Sequence, residues 1–220
     1  LKAADGAVVW KVPLRWNPWG PPSVAPAEGK GRVLVGCSSI RFDPATLEGA
    51  RGEVVAVDLD TGRLAWRREV PGGVLSSVAI DSTGSIGVFT ATDGVVRGVD
   101  IASGRLVWSS AAAGPIFAGV AIAGLTVYTV DLDGRIRALD LRDGSRMLWS
   151  LDIGKPPSVK LPGRVFASPI CAGGRLYVAT HNVEGPQTGE PTAVVCLGAS
   201  VKEADADRGI FVDRKNSRVV

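Results

Sequence analysis

The chain has 220 residues, with 25 Lys and Arg against 22 Asp and Glu and no dense basic block, so its charge carries no electrostatic footprint for nucleic acid and no nucleic-acid partner is expected. Hydrophobic residues make up 45% of it, enough for one all-β domain with a real core, yet no apolar run approaches the roughly 18 residues that cross a membrane. Cys37, Cys171 and Cys196 are widely spaced and form no CxxC pattern, which points to small buried hydrophobes rather than a disulfide framework or a zinc site.

The chain opens inside a repeating phrase. Gly6 precedes Trp10 by four residues, while Lys2 stands where later copies carry an aspartate, and an orphan outer strand is predicted over residues 8–12. The first residues show neither an initiator Met nor a charged-then-apolar leader, so the chain is expected to be a fragment. The phrase returns in full as Asp58-Leu59-Asp60-Thr61-Gly62 with Trp66, as Asp100-Ile101-Ala102-Ser103-Gly104 with Trp108, and as Asp140-Leu141-Arg142-Asp143-Gly144 with Trp149. The tryptophans follow one another at 56, 42 and 41 residues, and a period near forty means either propeller blades or paired-helix arrays.

Strands decide between the two. Runs such as Val33-Leu34-Val35, Val54-Val55-Ala56-Val57, Ile86-Gly87-Val88-Phe89 and Leu176-Tyr177-Val178 are β-branched or aromatic and end at turn residues, and no helical stripe of ten residues survives between them. One unit reads as four strands, A to D: Val74–Ile80, Ile86–Thr90, Val95–Asp100 and Leu106–Ser109. The next reads as Ile116–Ala123, Leu125–Val130, Arg135–Asp140 and Met147–Leu151. Connections of two to five residues force antiparallel neighbours, because a parallel pair needs a crossover of a dozen or more. Asp93-Gly94 and Asp133-Gly134 are read as tight B-to-C hairpins using positive φ, and the Asp-x-x-Thr/Ser-Gly phrase as the C-to-D turn.

The expected fold is therefore all-β, a propeller of four-stranded antiparallel blades. Its units are an orphan strand in 1–12, blade one in 13–67, blade two in 68–109, blade three in 110–151, an incomplete blade four in 152–198 and a tail in 199–220. Trp66, Trp108 and Trp149 are expected to pack between blades. Either the N-terminal strand completes the last blade of a closed four-bladed ring or the chain is an arc of a larger one, and the arc is favoured.

Ala56-Val57-Asp58-Leu59-Asp60-Thr61-Gly62-Arg63-Leu64-Ala65-Trp66 resembles the tryptophan-docking motif of the pyrroloquinoline-quinone-type (PQQ-like) β-propeller family. Gly31-Arg32-Val33-Leu34-Val35-Gly36 and Gly174-Arg175-Leu176-Tyr177-Val178-Ala179 resemble that family's preceding strand, and the likeness runs from about residue 3 to residue 198. Val195-Cys196-Leu197-Gly198 departs from it, with no tryptophan following. The resemblance implies a ring of seven or eight blades, an exported or cell-envelope setting, and either a protein-binding scaffold without enzymatic activity or a quinone-dependent dehydrogenase. The scaffold, with another protein as partner and no cofactor, is the expectation. The alternative is a fragment of a PQQ- and calcium-dependent alcohol or polyvinyl-alcohol dehydrogenase, which Gly36-Cys37-Ser38-Ser39 and Arg51-Gly52-Glu53-Val54-Val55-Ala56 resemble locally. The calcium ligands and vicinal cysteines that the resemblance implies for quinone-bearing members are not placed.

In a meander the D-to-A and B-to-C connections emerge at one pole. The long segments Pro13–Pro22, Ser38–Gly52, Gly154–Gly163 and His181–Pro191 are all of these kinds, so a loop-rich rim on the first and last blades is the expected binding surface. It carries Arg15, Trp16, Trp19, Arg41, Phe42, Lys155, Lys160, His181 and Glu184. Trp16 and Trp19 are weighed as a contact patch, including one for carbohydrate or peptide, against a role pinning their loop to blade one. His181 is the only histidine, which excludes chemistry that needs two. Asp131-Leu132-Asp133-Gly134 lacks the remaining ligands of a calcium loop and reads as a hairpin, and no local nucleophile, dinucleotide or P-loop motif occurs. No catalytic, cofactor-binding or metal-binding residue is assigned.

Overall fold

A computed structural model describes residues 4–26, 31–41, 49–111, 113–153, 163–182 and 192–198. Among these there is no helix. Sixteen strands form four antiparallel sheets. Blade one holds β1 (Asn17–Pro18), β3 (Arg32–Ser38), β4 (Arg51–Asp58) and β5 (Leu64–Pro71) in that order, with β2 (Ser23–Ala25) also paired to β3. Blade two is β6 (Ala79–Ile80), β7 (Ile86–Thr90), β8 (Val96–Asp100) and β9 (Leu106–Ser109). Blade three is β10 (Ala121–Ala123), β11 (Thr126–Val130), β12 (Arg135–Asp140) and β13 (Met147–Asp152). Blade four is β14 (Ile170–Ala172), β15 (Arg175–Ala179) and β16 (Val194–Gly198). The short inner strands follow one another, β2 beside β6, β6 beside β10 and β10 beside β14.

Period-two patterning explains the stacking. On β4, Val54 and Ala56 point into the layer shared with blade two, while Val55 and Val57 point to the opposite face. On the sheets that follow, Phe89 and Val99 join the first layer, and Val88 and Leu139 meet in the layer between blades two and three. Ile136, Val178, Val195 and Leu197 fill the layer between blades three and four. Each central strand is therefore apolar on both faces and needs a sheet on either side.

The A strands are shorter than expected: β6 begins at Ala79, not Val74, and β10 at Ala121, not Ile116. The preceding residues run between blades and spend their backbone groups there. Val74 N donates to Cys37 O of blade one at 3.4 Å, Thr90 Oγ1 donates to Ala118 O at 2.6 Å, and Gly119 N donates to Ser168 Oγ at 2.9 Å. Val74, Val78 and Ile116 are buried by that passage.

Two turn readings are corrected. Among the described residues none other than glycine has a positive φ, so Asp93 and Asp133 are not in the left-handed region. Gly94 N bonds back to Ala91 O and Gly134 N to Asp131 O, each at 3.0 Å, giving a turn with a single left-handed glycine at its end. At the C-to-D turns Gly62 and Gly104 do have positive φ (69° and 70°), but Gly144 does not, because blade three carries one more residue before its tryptophan. Residues 8–12 are not paired as a strand, although from Val9 to Trp16 exposed and half-buried residues alternate as in one. Cys37 is buried and Cys171 half-buried, but Cys196 is exposed, since it lies on the outer face of the last blade.

Candidate binding rim

The rim is a sewn edge. The D-to-A connections that follow blades one, two and three are hydrogen-bonded to B-to-C turns: Thr92 N to Gly73 O (3.0 Å), Ala113 N to Gly94 O (3.1 Å), Leu132 N to Pro115 O (2.8 Å) and His181 N to Arg164 O (2.7 Å). Arg137, buried in blade three, reinforces it by donating to Ala111 O at 3.1 Å and Gly94 O at 3.4 Å. These bonds gather both kinds of connection at one pole. The C-to-D turns, with Asp58 accepting from Thr61 and Asp100 from Ser103, occupy the other.

At the blade-one end, Trp16 lies half-buried against the cluster of Val33, Cys37, Val55 and Val57, with the Arg15 guanidinium 4.6 Å above its ring. Arg15 pairs with Glu69 at 2.6 Å, and Arg51 joins the same carboxylate at 3.2 Å. Trp16 therefore pins its loop to blade one, while Trp19 is 36% exposed and Arg41 is exposed. Phe42, Lys155, Lys160 and Glu184 lie outside the described residues.

Glu53, which the sequence reading passed over, sits beneath this end. Its side chain is fully buried, with Arg67 Nε at 3.4 Å from Oε2. Burial pushes its carboxyl pKa above the usual range, with Arg67 and Arg15 pulling the other way. Burial also pushes the neighbouring Cys37 thiol up to about 11, which makes it inert as a nucleophile. A lone acid inside the run Gly52 to Val57 was the available signal.

At the blade-four end, the His181 ring meets Phe166 edge-on at 5.5 Å and Phe166 meets Phe117 edge-on at 5.6 Å. Phe166, Ala167, Ala179, Thr180 and His181 line a cleft of about 420 Å³. Phe166 is 43% exposed at its mouth. The two phenylalanines occupy matching places in successive units, Ile116-Phe117-Ala118-Gly119 and Val165-Phe166-Ala167-Ser168, a second repeat beside that of the tryptophans.

What this surface offers is an apolar, aromatic recess with a single imidazole, on a hydrogen-bonded frame. Among the described residues no three His, Cys, Asp or Glu side chains converge to hold a metal ion, and the three cysteines stand on separate strands.

A family model described as outer membrane protein assembly factor BamB matches residues 1–206. Among solved structures, BamB from Moraxella catarrhalis is similar at 21% identity and a TM-score of 0.60 over 88% of this chain. The chain spans 57% of the length of that protein. The computationally designed Ika4 protein is similar at 17% identity and a TM-score of 0.59, over 86% of this chain and 97% of its own. The designed Ika8 protein is similar at 18% identity and a TM-score of 0.52, over 74% of this chain and 42% of its own. No curated protein matches. At these identities the likeness shows a shared β-propeller fold.

Proposed function

The chain belongs to the BamB-type family of PQQ-like β-propellers, and from that premise we propose that it is a protein-binding scaffold of the cell envelope, without enzymatic activity, that engages its partner through the loop-rich rim. The observation that carries this reading is the recess lined by Phe166 and His181, with Phe117 edge-on to Phe166, an exposed aromatic anchor site held on a frame of backbone hydrogen bonds. Aromatic groups in a preformed recess are the usual centre of a protein contact, because little conformational freedom is lost when they are covered. The partner is a protein involved in assembling the envelope, as the name of the family suggests, and Trp19 and Arg41 at the blade-one end extend the contact.

A photo-crosslinking amino acid placed at Phe166 or His181 in the expressed chain tests this. Covalent adducts with an envelope protein are expected from those positions and none from Ser103 at the opposite pole. Adducts from Ser103 alone would remove the rim assignment. Reduction of a dye with primary alcohols after adding the quinone and calcium would overturn the scaffold reading in favour of a dehydrogenase.

A further inference from the structure

The three seams between blades correspond place by place. On the inner strand of the later blade, Ile80 pairs with Gly87, Ile122 with Val127 and Cys171 with Leu176, so these three side chains hold one position in successive seams. On the B strand of the earlier blade the matching trio is Leu34, Val88 and Tyr128, paired with Ala56, Gly98 and Ala138. Leu34 and Ile80 pack in the first seam and Val88 and Ile122 in the second, where Leu34 and Val88 are fully buried. In the third, Tyr128 and Cys171 meet instead, and both stay half-buried. A cysteine does not fill the volume of an isoleucine, and the flat phenol does not make up the difference. A cleft of about 250 Å³ results, between Ala123 and Tyr128 of blade three and residues 171–175 of blade four. It opens at the A-to-B turns, which Ile101 N→Ser85 O and Leu141 N→Leu125 O join to the C-to-D turns at the pole opposite the rim.

A second departure frees a charge beside this cleft. In blade one, Arg32 at the start of β3 is in register with Asp58, and their side chains form an ion pair at 3.3 Å. Arg175 at the start of β15 holds the same place in blade four, but Gly198 stands opposite it, so close that a Cβ there would lie 3.2 Å from Arg175 Cγ. Arg175 is exposed and makes no ion pair among the described residues. No acid lines the cleft. Burial pushes the Tyr128 phenol and the Cys171 thiol above their ordinary values of 10.0 and 9.0, so both are uncharged at neutral pH and the guanidinium is the one charge on the wall. The Tyr128 ring, with Trp149 behind it at 5.9 Å between centroids, makes one side aromatic. Gly173 and Gly174, with no atom within 4 Å of where a Cβ would stand, leave the peptide surface of the mouth open.

We propose that the cleft between blades three and four binds a small aromatic carboxylate, with its ring against Tyr128 and its carboxylate on the Arg175 guanidinium. Size sets the class of ligand. A volume of about 250 Å³ falls below the roughly 300–1,000 Å³ of sites for drug-sized molecules, which leaves room for one ring and its acid group. Charge sets the rest: a planar carboxylate matches the guanidinium fork, and a ring laid against a phenol face and a thiol buries no unpaired charge. The site stands at the pole away from the rim and is independent of the scaffold reading.

The test titrates the full-length chain with sodium benzoate and follows its backbone amide resonances. Saturable shifts are expected at Ala123, Ala172, Gly173 and Gly174, with a Kd on the order of 1 mM for so few ligand atoms. Benzyl alcohol, which keeps the ring and drops the charge, is expected to bind about tenfold more weakly. Arg175→Gln, an exposed substitution that leaves the seam intact, is expected to weaken benzoate by the same factor. Cys171→Ile restores the residue of the other two seams and is expected to abolish the shifts. Benzoate that moves none of these amides, or that binds the Arg175→Gln chain as tightly as the parent, would overturn the proposal. Equal binding of benzyl alcohol would overturn it in favour of a plain apolar cleft, and undiminished binding to a folded Cys171→Ile chain would place the ligand elsewhere.

Discussion

The indole of Trp108 joins two blades with one ring. It is 7% exposed, its Nε1 donates to Leu141 O at 2.7 Å, and its ring lies so close over Gly144 that a Cβ there would enter it. Trp66 repeats this with Ile101 O at 2.8 Å and Gly104. Burying an indole is worth on the order of 4–6 kcal/mol as an upper bound at about 25 cal/mol per Å². Trp108→Ala is accordingly expected to cost about 3–5 kcal/mol in chemical denaturation, and Gly144→Ala about 1–3 kcal/mol through overpacking alone. The Trp–Gly spacing was legible in the sequence, but the reason for the glycine was only half so. At Gly62 and Gly104 the turn needs a left-handed residue, whereas Gly144 has no such φ and is explained by the ring above it, a contact across more than thirty residues that no local pattern announces. The aspartates of the same turns set a pH dependence. The hydroxyl of Thr61 bonds the Asp58 carboxylate and that of Ser103 the Asp100 carboxylate, and these bonds hold both pKa values below the ordinary 3.8. Because the folded values are depressed, the stabilisation is present above pH 3.8 and is lost as pH falls from there through the folded values. Thermal melts across that window are expected to show a shallower acid limb for Thr61→Ala/Ser103→Ala than for the parent chain.

At the scale of the strand, the repeated bulge aims the ring. Val107 is the unpaired residue between Leu106 and Trp108, and inserting it rotates the tryptophan toward the next blade, while its own side chain is 41% exposed. Deleting Val107 is therefore expected to lower the melting temperature far more than Val107→Ala, since deletion turns Trp108 away from its seat and truncation removes only surface. Calorimetry of the two variants checks this. Strand order and turn positions could be read from β-branched runs and Asp–Gly punctuation. The true starts of β6 and β10 could not, because Val74–Val78 and Ile116–Val120 look like strand to any local rule but make their hydrogen bonds across blades.

At the scale of the molecule, four sheets share three apolar layers, and a fourth layer forms where Trp10, Val12, Leu14 and Trp16 cover the outer face of blade one. Residues 42–48, 154–162 and 183–191 of the long connections lie outside the described residues, but the shared pole of the D-to-A and B-to-C bonds that are described followed from meander geometry. The blade-four recess did not, because Phe117, Phe166 and His181 meet only through the stacking of two sheets. Glu53 showed in the sequence only as a lone acid in an apolar run, its burial being decided by what lies on β4 rather than by β4 itself.

β5 and β9 each hydrogen-bond within one sheet, while their indoles are seated on the sheet that follows. The stretch that recurs in the gene and the body that recurs in space are thereby out of step. A duplication or loss of one recurring stretch would carry away a ring and a glycine that belong to different partners, and the flanking copies would supply both replacements. Such a molecule can lengthen or shorten by whole steps during descent without ever exposing a bare joint in its middle.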